Sequence, residues 1–163
     1  MPVTTDIVRM YRGPRRVVRD LLAMGQREDR AIMWLMIGCL IVFLSRLPAL
    51  QREAILGQGD FSRDAAYAFF GLMMIAPLMF YGLAAVGRGV ARLAGGRPSG
   101  YGARLALFWS WLAATPLILF YGLLVGMNGA AAAGTQAIGL LWVVVFAVFW
   151  VQGLREASEN HDA

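Results

Sequence analysis

Four long apolar stretches, separated by polar or glycine-rich segments, set the pattern of this chain. They cover about residues 31–47, 65–87, 103–127 and 135–154. A helix needs about 20 apolar residues to cross the hydrocarbon of a bilayer. The second stretch has 23 uncharged residues, and residues 105–154 carry no charge at all. Since that uncharged region is too long for one span, the small-residue turn around 127–136 predicts two spans there.

The first stretch is the shortest, with an uncharged core of only 15 residues from Ala31 to Ser45. We expect Arg46 to reach the far interface and Pro48 to end the helix. A short or re-entrant segment is the alternative, but a full span is favoured because the charge distribution described below fits four spans. Residues 50–64 then read as a mixed-charge loop with room for a short helix at 51–56.

The segment before the first span, residues 1–30, is polar and basic. Pro14 suits the first turn of a helix, where its missing N–H is not needed. The helical period places apolar side chains on one face and most of the basic ones off it. The apolar set is Val17, Val18, Leu21 and Leu22, and the basic set is Arg15, Arg16 and Arg19. This pattern indicates an amphipathic helix lying in the headgroup plane, with a helix packed on the rest of the protein as the alternative.

The predicted fold class is therefore all-α, a polytopic membrane helix bundle with four transmembrane helices preceded by an amphipathic interfacial helix. A cytoplasmic N-terminal segment (1–30) precedes the membrane domain (31–154), and a cytoplasmic tail (155–163) follows it. All 15 basic residues are arginines. Twelve lie in the N-terminal segment, the middle loop and the tail, and three lie on the other side. This asymmetry places both termini in the cytoplasm, in a bacterial inner membrane.

Composition limits the partners of this chain. Hydrophobic residues make up 59% of it, against about 45–50% in soluble domains. The net charge of +5 comes from arginines that flank apolar runs, so anionic phospholipid headgroups are expected as partners rather than nucleic acid. The candidate lipid-phosphate contacts are Arg15, Arg16, Arg19, Arg97 and Arg104.

The chain lacks the residues of common catalytic sites. The cores of the four stretches contain no Asp, Glu, His or Lys, which removes the usual proton relay and metal site. Cys39 is the only cysteine, and the only histidine, His161, is close to the C-terminus. No catalytic, cofactor-binding or metal-binding residue is predicted, and no enzymatic activity is expected.

The second and third stretches share a Pro-to-Tyr-Gly ending. Pro77 and Pro116 are each expected to free a carbonyl and bend a helix. The tyrosines that follow have hydroxyls within reach of such groups, either in a pocket between the bends or, as we prefer, in simple kinked packing. Gly122 and Gly126 form a GxxxG pair that allows close helix approach. The candidate packing or pocket residues are Pro77, Tyr81, Pro116, Tyr121, Gly122 and Gly126.

Several local motifs resemble the Yip (Ypt/Rab-interacting protein) family, in a bacterial form. They are Gly13-Pro14-Arg15, Gly95-Gly96, Tyr101-Gly102-Ala103-Arg104 and the intramembrane Pro116. The resemblance implies a small helical integral membrane protein with a cytosolic N-terminus. Eukaryotic members of the family act in membrane trafficking and bind Rab-type GTPases or each other. The resemblance brings no catalytic residues.

The expected function is that of a non-enzymatic scaffold or organiser. It acts through lipid contacts and through helix–helix contacts with itself or another membrane protein. The alternative is a small transporter or lipid-handling protein that uses a cavity between the kinked second and third spans.

Overall fold

The structure, a computed structural model, describes residues 3–159, and these fold into helices joined by short turns. The helices are α1 (Val3–Met10), α2 (Pro14–Ala23), α3 (Glu28–Ile55), α4 (Phe61–Phe70), α5 (Ala76–Leu93), α6 (Gly100–Ala113), α7 (Thr115–Asn128) and α8 (Ala133–Glu159). A π-helical segment, Gly71–Ile75, joins α4 to α5. His161 and the end of the predicted tail lie outside the described residues.

Three helical units are long and apolar enough to cross a membrane: α3, the continuous Phe61–Leu93 helix and α8. The pair α6 and α7, bent by 42° at its junction, brings the number to four if it counts as one span. The expectation of an all-helical fold with apolar helices long enough to span a membrane is confirmed for the described residues, and the count of four spans stays a prediction. The helices extend beyond the predicted stretches, since residues 51–55 belong to α3 and residues 155–159 belong to α8.

The first apolar stretch does not end at its proline. Helix α3 continues through Pro48 to Ile55 and contains 28 residues, so the prediction that Pro48 terminates it was wrong. A proline inside a helix removes one hydrogen bond, here the one to the Leu44 carbonyl. The helix continues because Pro48 packs directly against Gly126 of α7 and because Gln51 to Ala54 are good helix formers.

Pro77 does not split its helix either. The five-residue π segment lies just before it, and the Ala76 N–H donates to the Gly71 carbonyl, a wider turn than the α-helical one. π-helical segments are rare and occur mostly as single-turn bulges inside α-helices, where they change the helix direction without ending it. The whole region from Phe61 to Leu93 therefore remains one helix of 33 residues.

The third stretch is divided at Ala114, directly before Thr115 and Pro116. Proline at the second position of α7 has no N–H to donate to the Leu112 carbonyl. The Thr115 hydroxyl donates to that carbonyl instead, at 2.7 Å. The freed carbonyl is thus satisfied by a neighbouring threonine. The sequence had offered the Tyr121 hydroxyl as one possible donor to this carbonyl.

The helices run alternately up and down the bundle. Along α3, Glu28, Trp34, Gly38, Ser45 and Arg52 meet successive positions of α6 and α7, from Arg104 to Met127. Helix α3 and the α6–α7 pair therefore lie parallel over their whole length. Helices α5 and α8 run the opposite way, as the pairs Tyr81–Phe108, Phe80–Trp111, Gly153–Ala106 and Tyr121–Gly139 show.

Helix α6 forms the centre of the molecule. Eleven of its 14 residues are buried, which means that it is covered on all sides. Helix α5 is peripheral, and only Ala84 and Gly87 are buried there. Its outward face is apolar, with Leu78 76% and Leu93 92% exposed, as expected of a surface in contact with lipid.

The N-terminal helix α2 begins at Pro14 as predicted, but it does not lie across the end of the bundle. It runs alongside α8. The Tyr11 ring, just before α2, meets Phe149 edge-to-face, Val18 lies against Gly153, and Leu22 lies beside Gly102. Its apolar face, including Val17, Val18 and Leu21, is buried by protein. This burial agrees with the packed alternative, since the small residues of α6 and α8 leave a groove for this face. The interfacial placement stays a prediction.

Candidate functional site: a basic cleft between α5 and α6

The loop from Ala94 to Ser99 turns the chain from α5 into α6. Gly95 has a φ of 89°, a left-handed conformation that glycine adopts without strain. The Ser99 hydroxyl accepts from the Gly102 N–H at 2.9 Å and caps the start of α6. These two features fix the end of α5 and the start of α6 at one place, beside the beginning of α3.

Two adjoining cavities lie at this turn, and we refer to them together as the basic cleft. The outer lobe, about 590 Å³, is formed by the loop, and Arg97 lines this lobe but not the other. The inner lobe, about 240 Å³, extends between α5 and α6 and is lined by Tyr81 and Arg104. Both lobes share Arg88, Arg92 and Gly100.

Positive groups converge at the junction of the two lobes. A Cβ atom at Gly100 would lie 3.4 Å from Arg88 Nη1 and 3.6 Å from Arg104 Nη1. The N-terminus of α6 adds the positive end of the helix dipole, equivalent to about half a charge. The Arg104 guanidinium also lies 6.0 Å from the centre of the Tyr81 ring. Like charges placed this closely repel each other unless an anion lies between them.

Few of these charges are neutralised by the protein itself. Arg104 pairs with Glu28, its Nε donating to Oε2 at 3.3 Å. Arg88 Nε donates to the uncharged Pro98 carbonyl at 3.2 Å. Within the described part of the chain, no carboxylate pairs with Arg88, Arg92 or Arg97. The cleft therefore retains a positive charge beside a helix whose outward face is apolar.

This arrangement suits the binding of an anion. Arginine forks and free N–H groups at a helix start are the usual donors to phosphate oxygens. The lining of the two lobes contains no nucleophile activated by a base. Within residues 3–159, no group of His, Cys, Asp and Glu side chains is placed to hold a metal ion.

The structure separates the five arginines that the sequence singled out for lipid phosphate. Arg97 and Arg104 line the cleft. Arg15 and Arg19 instead hold the buried Glu156 carboxylate, at 3.0 and 2.6 Å, and these hydrogen bonds raise the pKa of both guanidinium groups. Arg16 is exposed beside them.

Arg88 and Arg92 were not singled out from the sequence. Their spacing of four residues puts both on one face of α5, and this signal could have pointed to a shared site. Their loop partner could not be deduced in the same way, because the approach of Arg97 and Gly100 depends on how the turn folds.

The other predicted residues serve helix packing. Gly122 lies against the Ser45 carbonyl, Gly126 lies against Pro48, and the Tyr121 ring lies on Gly139. Tyr81 stacks edge-on against Phe108 at 5.2 Å, with its other side toward the inner lobe.

No family model, no curated protein and no solved structure matches the chain.

Proposed function

We propose that this protein is a non-enzymatic integral membrane protein that binds anionic phospholipid headgroups in the basic cleft. It acts as a scaffold or organiser in a bacterial inner membrane. Four spans, with both termini in the cytoplasm, place the cleft at the inner leaflet. The convergence of Arg88 and Arg104 on Gly100, with the start of α6, carries this proposal. Basic pockets on the cytoplasmic side of transmembrane helices are typical sites for anionic headgroups.

The surroundings of the cleft fit a lipid. Helix α5, which supplies Arg88 and Arg92, presents an exposed apolar face that includes Val86 and Val90. A phosphate in the cleft thus has an apolar surface directly next to it for its acyl chains. A soluble anion has no acyl chains to place on such a surface. This combination favours a headgroup as ligand over a free ion.

The resemblance to the Yip family is retained as part of this proposal. It agrees with an all-helical membrane protein that has no catalytic set and acts through contacts with lipids and with a membrane protein partner or a second copy.

The transporter alternative is less well supported. The inner lobe reaches as far as Tyr81 between the second and third apolar stretches. Beyond it, toward Pro77 and Pro116, aromatic rings fill the space, with Phe80 4.6 Å from Trp111 and Tyr81 5.2 Å from Phe108. Trp142 and Phe146 of α8 cover Trp111 from the other side. Such packing leaves little room for a substrate path between Pro77 and Pro116.

The experiment is to measure the lipids retained by the full-length protein. Protein purified in a mild neutral detergent is incubated with equal amounts of phosphatidylglycerol and phosphatidylcholine, and bound lipid is counted by native mass spectrometry. We expect a preference for phosphatidylglycerol that is lost in the triple variant R88Q/R92Q/R97Q.

The matched control removes three arginines that do not line the cleft, in R12Q/R27Q/R155Q. It loses the same total charge and should keep the preference. Equal loss in both variants would show a general charge effect and contradict a lipid site in the cleft. Flux of a solute across liposomes containing the pure protein would support the transporter alternative instead.

A further inference from the structure

We infer that the basic cleft takes one anion that carries two phosphate groups, one in each lobe. This inference rests on the proposed function and specifies its ligand. Arg97 serves the outer lobe, Arg104 serves the inner lobe, and Arg88 and Arg92 lie between them.

The division into lobes is the first observation. Each lobe has one arginine of its own and shares two others with its neighbour. A single phosphate can accept hydrogen bonds from Arg88 and Arg92 and from the arginine of one lobe, but it cannot occupy both lobes. Two phosphates joined by a short bridge use all four guanidinium groups.

The charge balance is the second observation. Glu28 neutralises Arg104 in part, which leaves three arginines and the start of α6 without an acidic partner among the described residues. A phosphodiester carries about one negative charge, which is too little for this set. Two phosphates bring about two charges and match it more closely.

Gly100 is the third observation. It lies where the two lobes meet and has no side chain to block the passage between them. A group that bridges two phosphates can therefore pass over it. A methyl group there would lie 3.4 Å from Arg88 Nη1, at the end of a flexible side chain. The substitution Gly100→Ala therefore narrows the junction of the lobes without disturbing the backbone, and alanine is a good helix former at the first position of α6.

The experiment compares two anionic lipids on full-length protein in neutral detergent. Diphosphatidylglycerol has two phosphates in one headgroup, and phosphatidylglycerol has one. Both lipids are compared at the same phosphate concentration. We expect the Kd of diphosphatidylglycerol, per molecule, to be at least about tenfold lower, because it forms one further charge-assisted hydrogen-bonded pair.

Variants distinguish the lobes. Arg97→Gln and Gly100→Ala should each reduce the preference for diphosphatidylglycerol several-fold while phosphatidylglycerol binding changes little. Arg155→Gln, at a position that does not line the cleft, should leave both unchanged. Thermal unfolding of each variant verifies that the fold is kept.

A competition arm identifies the source of the phosphates. Inorganic pyrophosphate should displace diphosphatidylglycerol weakly, because it lacks the acyl chains. If pyrophosphate binds with the same dependence on Arg97 while neither lipid binds, the two-phosphate inference stands with a soluble ligand and the proposed function fails.

Equal affinity per phosphate for the two lipids, both above phosphatidylcholine, would overturn the two-phosphate inference and keep the proposed function. No preference for either lipid or for pyrophosphate would overturn both.

Discussion

Two glycines set how closely α3 and α7 approach each other. A Cβ atom at Gly122 would lie 1.9 Å from the Ser45 carbonyl oxygen, and one at Gly126 would lie 2.5 Å from Pro48 Cβ. Both are far inside van der Waals contact, so the backbones touch where the side chains are missing. Packing of this kind replaces the hydrophobic driving force that helices lack inside a bilayer.

Gly122→Ala should therefore destabilise the fold, because α3 and α7 must move apart along a backbone contact. We expect a loss of about 1–3 kcal/mol or more in the free energy of unfolding. Gly82→Ala is the matched control, since nothing lies within 4 Å of a Cβ at that exposed helical position. It should gain up to about 1 kcal/mol. Unfolding of both variants in mixed micelles measures the difference, and equal effects would contradict the contact.

Two buried threonines make a second test at the same scale. The Thr115 hydroxyl donates to the Leu112 carbonyl at 2.7 Å, whereas the Thr135 hydroxyl is buried with no hydrogen-bond partner in the described residues. Thr115→Val should lower stability by about 1 kcal/mol, the value of one intramembrane hydrogen bond. Thr135→Val should be neutral or stabilising, since it removes an unpaired hydroxyl. The opposite order in thermal unfolding would refute the role given to Thr115.

Among the elements, the pair α1–α2 is attached to the bundle partly through a buried carboxylate. Glu156 of α8 is 1% exposed and accepts from Arg15 and Arg19 of α2. The Tyr11 hydroxyl, at the turn between α1 and α2, donates to the Ala113 carbonyl at 3.1 Å. The remaining attachment comes from the buried apolar face of α2.

Glu156→Gln should loosen this pair, because it removes the buried negative charge that accepts from both Arg15 and Arg19. We expect a loss of about 1–2 kcal/mol, reduced from the value of a fully buried pair by the exposure of Arg15 and Arg19. Limited trypsin cleavage should then cut faster between residues 9 and 19. Glu159→Gln, whose side chain is 60% exposed, is the control and should cut at the original rate. Unchanged cleavage in Glu156→Gln would show that apolar packing alone holds α2.

The existence of the elements could be predicted from the sequence better than their ends. A long uncharged stretch in a membrane must satisfy its backbone hydrogen bonds internally, and a helix does so. The helices α3, α5 and α8 therefore follow from composition. The end of α3 could not be predicted, because Pro48 is tolerated only through its contact with Gly126 on a distant helix. The sequence left the placement of α2 open between two alternatives for a similar reason, since the groove that receives Val18 exists only after α6 and α8 have packed.

For the whole molecule, the parallel course of α3 and the α6–α7 pair decides the topology. The two run side by side from the contact of Glu28 with Arg104 to that of Arg52 with the Met127 carbonyl. If α3 crosses the membrane, the bent pair crosses with it. The turns at residues 56–60 and 129–132 then lie at one end of the bundle, and the loop after α5 lies at the other.

Single cysteines test this arrangement in a background where Cys39 is replaced by alanine. Ala94→Cys and Asn128→Cys are at exposed positions at opposite ends of the bundle. In intact cells, a membrane-impermeant maleimide should label Asn128→Cys and should label Ala94→Cys only after the membrane is opened. Labelling of both from outside would show that the α6–α7 pair does not cross, and would leave at most three spans.

The candidate site was predictable in charge but not in shape. The sequence shows four arginines and no acid between residues 88 and 104, which indicates an anionic partner. It does not show that Arg88 and Arg104 meet at Gly100, because that approach depends on the antiparallel packing of α5 on α6. The two lobes of the cleft are therefore a property of the folded molecule alone.

The central position of α6 has a consequence for how the chain is made. Its face toward α8 is built for close contact, with Gly102 against Ala157 and Ala106 against Gly153. Ribosomes deliver α8 after every other described helix, at about 5–20 residues per second. Until α8 is made, the face of α6 that packs on α8 stays uncovered by protein and is exposed to lipid or to the insertion machinery. A ribosome that stalls before Ala133 would thus leave a substrate for membrane proteases rather than a smaller folded protein.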